Sequence, residues 1–187
     1  RVEITPSVET LTGNAPLVPF FINLNRGQSY QIKARGDLTG TRVRVVGENV
    51  EECKNLAVFG GNKWSSVGDC GQANDNLFQQ AYPVNTWGTE FFHIPFAGRS
   101  SGELVKVLAS EDNTSVFVDG VFRGNINSGK FLSFNFNANQ LATIRTDKPS
   151  SVTVFAKSQA CNDPNLPLFN DGDPFMITYS PKQQLLK

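Results

Sequence analysis

Short apolar runs alternate with polar positions along this chain, and Gly, Asn, Asp or Pro closes most of them. A period of two is the mark of a half-buried strand. The pattern predicts strands at Phe20–Leu24, Ser29–Ala34, Arg42–Val46, Leu56–Phe59, Glu90–Ile94, Leu104–Ala109, Ser115–Val118, Phe131–Phe136, Leu141–Thr146, Ser151–Ala156 and Phe175–Tyr179. In Phe117-Val118-Asp119-Gly120-Val121 the Asp-Gly pair adds a hairpin turn signal. No long stretch holds a 3.6-residue period, and the best helical candidate is Asp75–Tyr82, two turns at most. Many short strands separated by turns predict an all-β fold, a β-sandwich or jelly roll.

Several segments recur in order. Leu24-Asn25-Arg26-Gly27-Gln28 is echoed by Ile126-Asn127-Ser128-Gly129-Lys130, and Leu56-Ala57-Val58-Phe59 by Val152-Thr153-Val154-Phe155. Asp75 leads to Tyr82-Pro83 as Asp173 leads to Pro181, and Val2–Ser7 lines up with Val105–Ser110. An offset of about 100 residues suits duplicated units, so the expectation is two similar β-halves, 1–88 and 89–187, packed together with a seam near Trp87–Arg99.

Composition narrows the function. The 187 residues carry 17 basic and 17 acidic side chains, so no cationic surplus exists to neutralise phosphates, and nucleic acid is not expected as a partner. The apolar runs are too short and too broken to insert in a membrane. Arg1-Val2-Glu3-Ile4-Thr5-Pro6 is not a signal peptide, and the chain reads as a module of something longer.

Chemistry-bearing residues are few. His93 is the one histidine, and it lies in an alternating run with no nucleophile elbow, so hydrolysis by a serine-based triad is not expected. Glu111, Asp112, Asp163, Asp171 and Asp173 have the right type for glycoside hydrolysis, but turns use aspartate as readily. Asp163, Asn170, Asp171 and Asp173 crowd one loop and could supply oxygen ligands to calcium, the one cofactor the sequence puts forward; Asx-turns explain the same residues without metal. The cysteines, Cys53, Cys70 and Cys161, have no zinc-site spacing. A strand that leaves Cys53 and returns at Cys70 would let those two form a disulfide, leaving Cys161 unpaired; the alternative is three buried thiols. Trp64 and Trp87 are either packing between sheets or exposed stacking anchors. Gly60-Gly61 suits a bulge or turn, and Asn113-Thr114-Ser115 matches a glycosylation acceptor or simply a turn.

The order of motifs carries a resemblance. Asn55-Leu56-Ala57-Val58-Phe59-Gly60-Gly61-Asn62-Lys63-Trp64, Cys70, Asp75-Asn76-Leu77-Phe78-Gln79-Gln80, Tyr82-Pro83, Thr86-Trp87-Gly88, Ala109-Ser110-Glu111-Asp112-Asn113-Thr114, Thr146-Asp147-Lys148-Pro149, Cys161-Asn162 and Gly172-Asp173-Pro174-Phe175-Met176 together resemble the IgGFc-binding protein N-terminal domain family. Bacterial members, often from Bacteroidota, sit in long secreted surface proteins that look like adhesins. The resemblance implies an extracellular or cell-surface recognition module without enzymatic activity, whose partner is a surface protein or glycan. The alternative is a spacer with no ligand of its own. Specificity in such folds lives in the connections. The expected contact residues are Asn62, Trp64, Asp75 and Trp87, with Asp163, Asp171 and Asp173 on the second long loop.

Overall fold

One strand organises most of the molecule. β11 (Ala142–Ala156) turns Ala142, Ile144, Val152, Val154 and Ala156 inward and leaves the intervening positions less buried. Its first half runs between β6 (Gly88–His93) and β8 (Thr114–Val118), and its second half between β7 (Glu103–Ala109) and β12 (Phe175–Thr178). The sequence predicts two strands here, Leu141–Thr146 and Ser151–Ala156, parted by Asp147-Lys148-Pro149-Ser150. The chain instead stays extended and only loses register between Arg145 and Ser150. Proline without an N–H is tolerated at such an irregularity, and the bend lets one strand serve both parts of the sheet.

The computed structural model describes residues 1–47, 54–70, 73–167 and 172–185. The chain is nearly all β with several antiparallel sheets, in keeping with the expected β-sandwich class. It divides into two compact units, Arg1–Val58 and Phe59–Lys187. In the second unit β9 (Val121–Ile126) extends β8, and β10 (Phe131–Phe136) extends β7. Buried side chains from β6 to β11 converge in one core of Phe91, Val105, Val107, Val116, Val118, Phe136, Ile144, Val152 and Val154 among others. The Asp119-Gly120 turn forms as the sequence predicts, with φ of 51° and 78°, both left-handed, joining β8 to β9. The C-terminal helix α1 (Lys182–Leu185) lies against β6, where Glu90 accepts from Arg145 and Lys182 at 2.6 and 2.9 Å.

In the first unit β1 (Val2–Thr5) is the central strand between β2 (Phe20–Ile22) and β3 (Arg42–Val45). Val2 and Ile4 are buried on one face; Glu3, across from Arg44, accepts two 2.7 Å hydrogen bonds from its guanidinium. Those bonds hold the Glu3 carboxyl below its ordinary pKa.

The expected two-fold repetition is not carried by the sheets. The units part at Val58–Phe59, not near Trp87, and β6 pairs with β11 in the second unit. Val152–Phe155 belongs to β11, whereas in its counterpart Leu56–Phe59 only Phe59 lies in a strand. What recurs is turn chemistry. Gln28 and Gln140 each donate a backbone N–H to the carbonyl of an asparagine three residues back, and each returns its side-chain oxygen to that asparagine's N–H. Lys130 closes a third turn on Asn127 in the same way through the backbone. Residues 29–33 likewise form no strand, and Ala34 makes only an isolated bridge to Thr10.

Gly102 holds a left-handed φ of 65°, and a Cβ there would run into the Phe136 carbonyl. Gly102→Ala is expected to cost about 1–3 kcal/mol, read as a lower urea midpoint with unchanged slope.

Candidate functional site

β4 (Phe59–Ser65) and β5 (Asp75–Gln80) form a two-stranded antiparallel hairpin. The helical candidate Asp75–Tyr82 is therefore a strand over Asp75–Gln80. Its alternation is weak because only Leu77 is buried. Gly61 explains the pairing: any side chain there would strike the Leu77 carbonyl, so glycine permits the close approach.

The hairpin leaves its aromatics in solvent. Phe59 and Phe78 are 51% and 64% exposed and stack with ring centroids 5.1 Å apart and planes 3° apart. Trp64, 67% exposed, stands further along β4. Of the residues singled out in the sequence, Asn62, Trp64 and Asp75 come together on this hairpin. The Asn62 side-chain oxygen accepts from the Trp64 N–H at 3.3 Å, and Asp75 pairs with Ser65 across the strands. Trp87 lies beyond the hairpin, half-buried, with its indole N–H donated to the Tyr82 carbonyl at 3.1 Å. Phe59 and Phe78 were not singled out from sequence; an apolar residue beside Gly60-Gly61 and another in an amide-rich run were the available signals.

Connections beyond β4 tie the hairpin to the rest of its unit. Val67 and Ser158 exchange two hydrogen bonds, Ser158 N–H to the Val67 carbonyl at 2.8 Å and Val67 N–H to Ser158 Oγ at 2.9 Å. Three residues on, Cys70 is bonded to Cys161, with Cα atoms 5.0 Å apart. This corrects the expected Cys53–Cys70 pairing; Cys53 itself lies outside the described residues. The strand does not turn back where expected. β4 runs on to Ser65, and Gly68, at φ 90° and with no Cβ, lets the chain settle against both sulfurs.

The aspartate loop is only partly described, since Asn170 and Asp171 lie outside the described residues. Asp163 Oδ1 accepts from the N–H and side-chain amide of Asn165, both at 2.9 Å, the Asx-turn reading of that residue. Next to Asp173 stands a cation: Arg99 donates to the Gly172 and Asp173 carbonyls at 2.7 and 2.8 Å. Among the described residues no three His, Cys, Asp or Glu side chains gather as a metal would require.

A second polar constellation lies inside the core. His93 and Glu103 are each 1% exposed, and His93 Nδ1 is 2.8 Å from the Tyr179 hydroxyl. His93 Nε2 is 3.4 Å from Glu103 Oε2, an ion-pair separation at which neither atom finds a hydrogen-bond partner. Glu103 Oε1 accepts the Phe96 N–H at 2.9 Å, and the imidazole stacks on Phe136 with centroids 4.5 Å apart. Burial lowers the His93 pKa against the opposing pull of Glu103. Burial also pushes the Tyr179 phenol up to about 12, helped by the Glu103 charge. The sequence carried one sign of this: Glu103 is in phase with Val105, Val107 and Ala109 on the buried face of β7.

An all-β scaffold with a disulfide between distant segments defines a class of β-rich domain suited to oxidising surroundings. Within that class the chain belongs to the IgGFc binding protein family, whose pattern matches residues 1–187, the whole of this sequence. That is a family of extracellular binding modules, not of enzymes. No curated protein and no solved structure matches the chain. Among the described residues no helix is long and apolar enough to cross a membrane.

Proposed function

We propose that this chain is an extracellular recognition module that engages a protein partner through the aromatic hairpin β4–β5. The observation behind this reading is the exposure of Phe59, Trp64 and Phe78 on one small sheet. Aromatic rings bring large contact area at low conformational cost, and solvent-facing clusters of them mark interaction surfaces. Few charges border them, Lys63 and Asp75 being the ones on the two strands, so affinity would come from desolvation more than from steering. The family's name supplies the first probe, the Fc fragment of immunoglobulin G. A glycan is the second reading. It is favoured by the amides of Asn62, Asn76, Gln79 and Gln80, which flank rings able to stack on sugars.

The test is surface binding of the full chain to Fc and to a glycan array, with Trp64→Ala and Phe78→Ala compared with the parent. Both side chains are exposed, so thermal melts should move little, while binding should weaken about tenfold or more for an anchor residue. Full binding by both folded variants would remove the hairpin as the contact surface. A chain that binds neither Fc nor any glycan would favour the spacer reading.

A further inference from the structure

The His93–Glu103–Tyr179 constellation joins the core to the C-terminal segment, and its hydrogen bonds work in only one protonation state. Tyr179 directly follows β12 and extends it, its N–H donating to the Val152 carbonyl at 2.8 Å. β12 pairs with β11 on one side and lies against β5 of the aromatic hairpin. The state of Tyr179 therefore bears on the strand that backs the hairpin.

The donors and acceptors can be followed atom by atom. The carboxylate of Glu103 on the Nε2 side favours the neutral imidazole with its proton on Nε2. Nδ1 then accepts, and Tyr179 donates its hydroxyl proton to it. Protonation of His93 puts a second proton on Nδ1. The Tyr179 oxygen then faces a donor where its hydroxyl had an acceptor, and its own proton loses that partner. Glu103 faces the Nε2 side of the ring, and the other groups against His93, Phe136 of β10 and Ala142, its partner on β11, are uncharged. Asp119, which lines a surface hollow together with His93 and Ala142, already accepts the Thr143 N–H at 2.8 Å.

We propose that His93 and Tyr179 form an acid-released latch, in which protonation of the buried imidazole frees Tyr179, loosens β12 and so loosens the hairpin it supports. The consequence for binding rests on the hairpin being the contact surface; the latch itself does not. The sign follows from burial. A histidine harder to protonate when folded than when unfolded stabilises the fold above its ordinary value near 6.5, and that stability falls away as pH drops below it.

His93 is the one histidine of the chain, so its imidazole gives a single, assignable NMR titration. Amide exchange of β12 and β5, corrected for the intrinsic effect of pH, is followed on the full chain from about pH 7.5 to about pH 5. Exchange is expected to accelerate with the same midpoint as the imidazole, by about tenfold for each pKa unit that burial has displaced. In Tyr179→Phe, which keeps the ring and removes the hydroxyl, β12 should exchange faster already at neutral pH and the acid step should shrink. Unchanged β12 exchange through the His93 midpoint, or an equal acid step in Tyr179→Phe, overturns the latch. Fc or glycan binding that depends on Trp64 yet ignores pH would overturn the regulation and leave the contact surface standing.

Discussion

Phe91→Ala is expected to destabilise the second unit by about 3–5 kcal/mol, among the largest effects of any single substitution in this chain. Phe91 is 1% exposed and sits across from Ile144, where the first half of β11 meets β6. The lost transfer free energy of a phenyl ring adds to the cost of a cavity that a pleated, hydrogen-bonded wall cannot collapse to fill. Phe91→Leu keeps most of the volume and should cost less than about 1.5 kcal/mol. Urea unfolding checks both: the midpoint should fall far for alanine and little for leucine, with similar slopes. A small effect of alanine would mean that Phe91 does not fill the core as described.

Loss of the Cys70–Cys161 disulfide should come close behind, at about 2–5 kcal/mol. The bond spans 91 residues, and long loops lose the most unfolded-state entropy on closure. Because one bond serves both residues, Cys70→Ser, Cys161→Ser and the double variant should be destabilised alike, a plain case of non-additivity. Were Cys70 joined to Cys53, Cys161→Ser would be nearly silent while Cys70→Ser was not. Peptide mapping without reductant gives the same discrimination directly, by showing which cysteine peptide is linked to that of Cys70.

Strands of the second unit were readable wherever a buried face alternates with a less buried one. β10 occupies the residues the pattern predicts, and β7 and β8 each begin one residue early. Alternation failed where burial is one-sided or absent. β5 buries only Leu77, β4 buries nothing, and both depend on a glycine contact between strands that no local pattern encodes. The cysteine pairing was illegible for a related reason: closeness in sequence favoured Cys53, whereas hydrogen bonds between Val67 and Ser158 bring the segment that leads to Cys70 beside the one that leads to Cys161. Trp64, Asn62 and Asp75 were within reach because loop-flanking polar and aromatic residues stand out. Tyr179 was not, since nothing near it in the chain announces a histidine 86 residues earlier.

The central place of β11 also sets the order in which the chain can fold. Its partners β6, β7 and β8 are all synthesised before it, and β12 after it. The β7–β10 and β8–β9 pairs can form between sequence neighbours, but the edges that will receive β11 stay unpaired until Ala156 has left the ribosome. Non-local pairing of this kind places folding on the millisecond-to-second scale and leaves unpaired strand edges exposed to neighbouring chains meanwhile. Aggregation during synthesis, or a need for a holding chaperone, should therefore track the delay before β11 emerges more than the final stability of the fold.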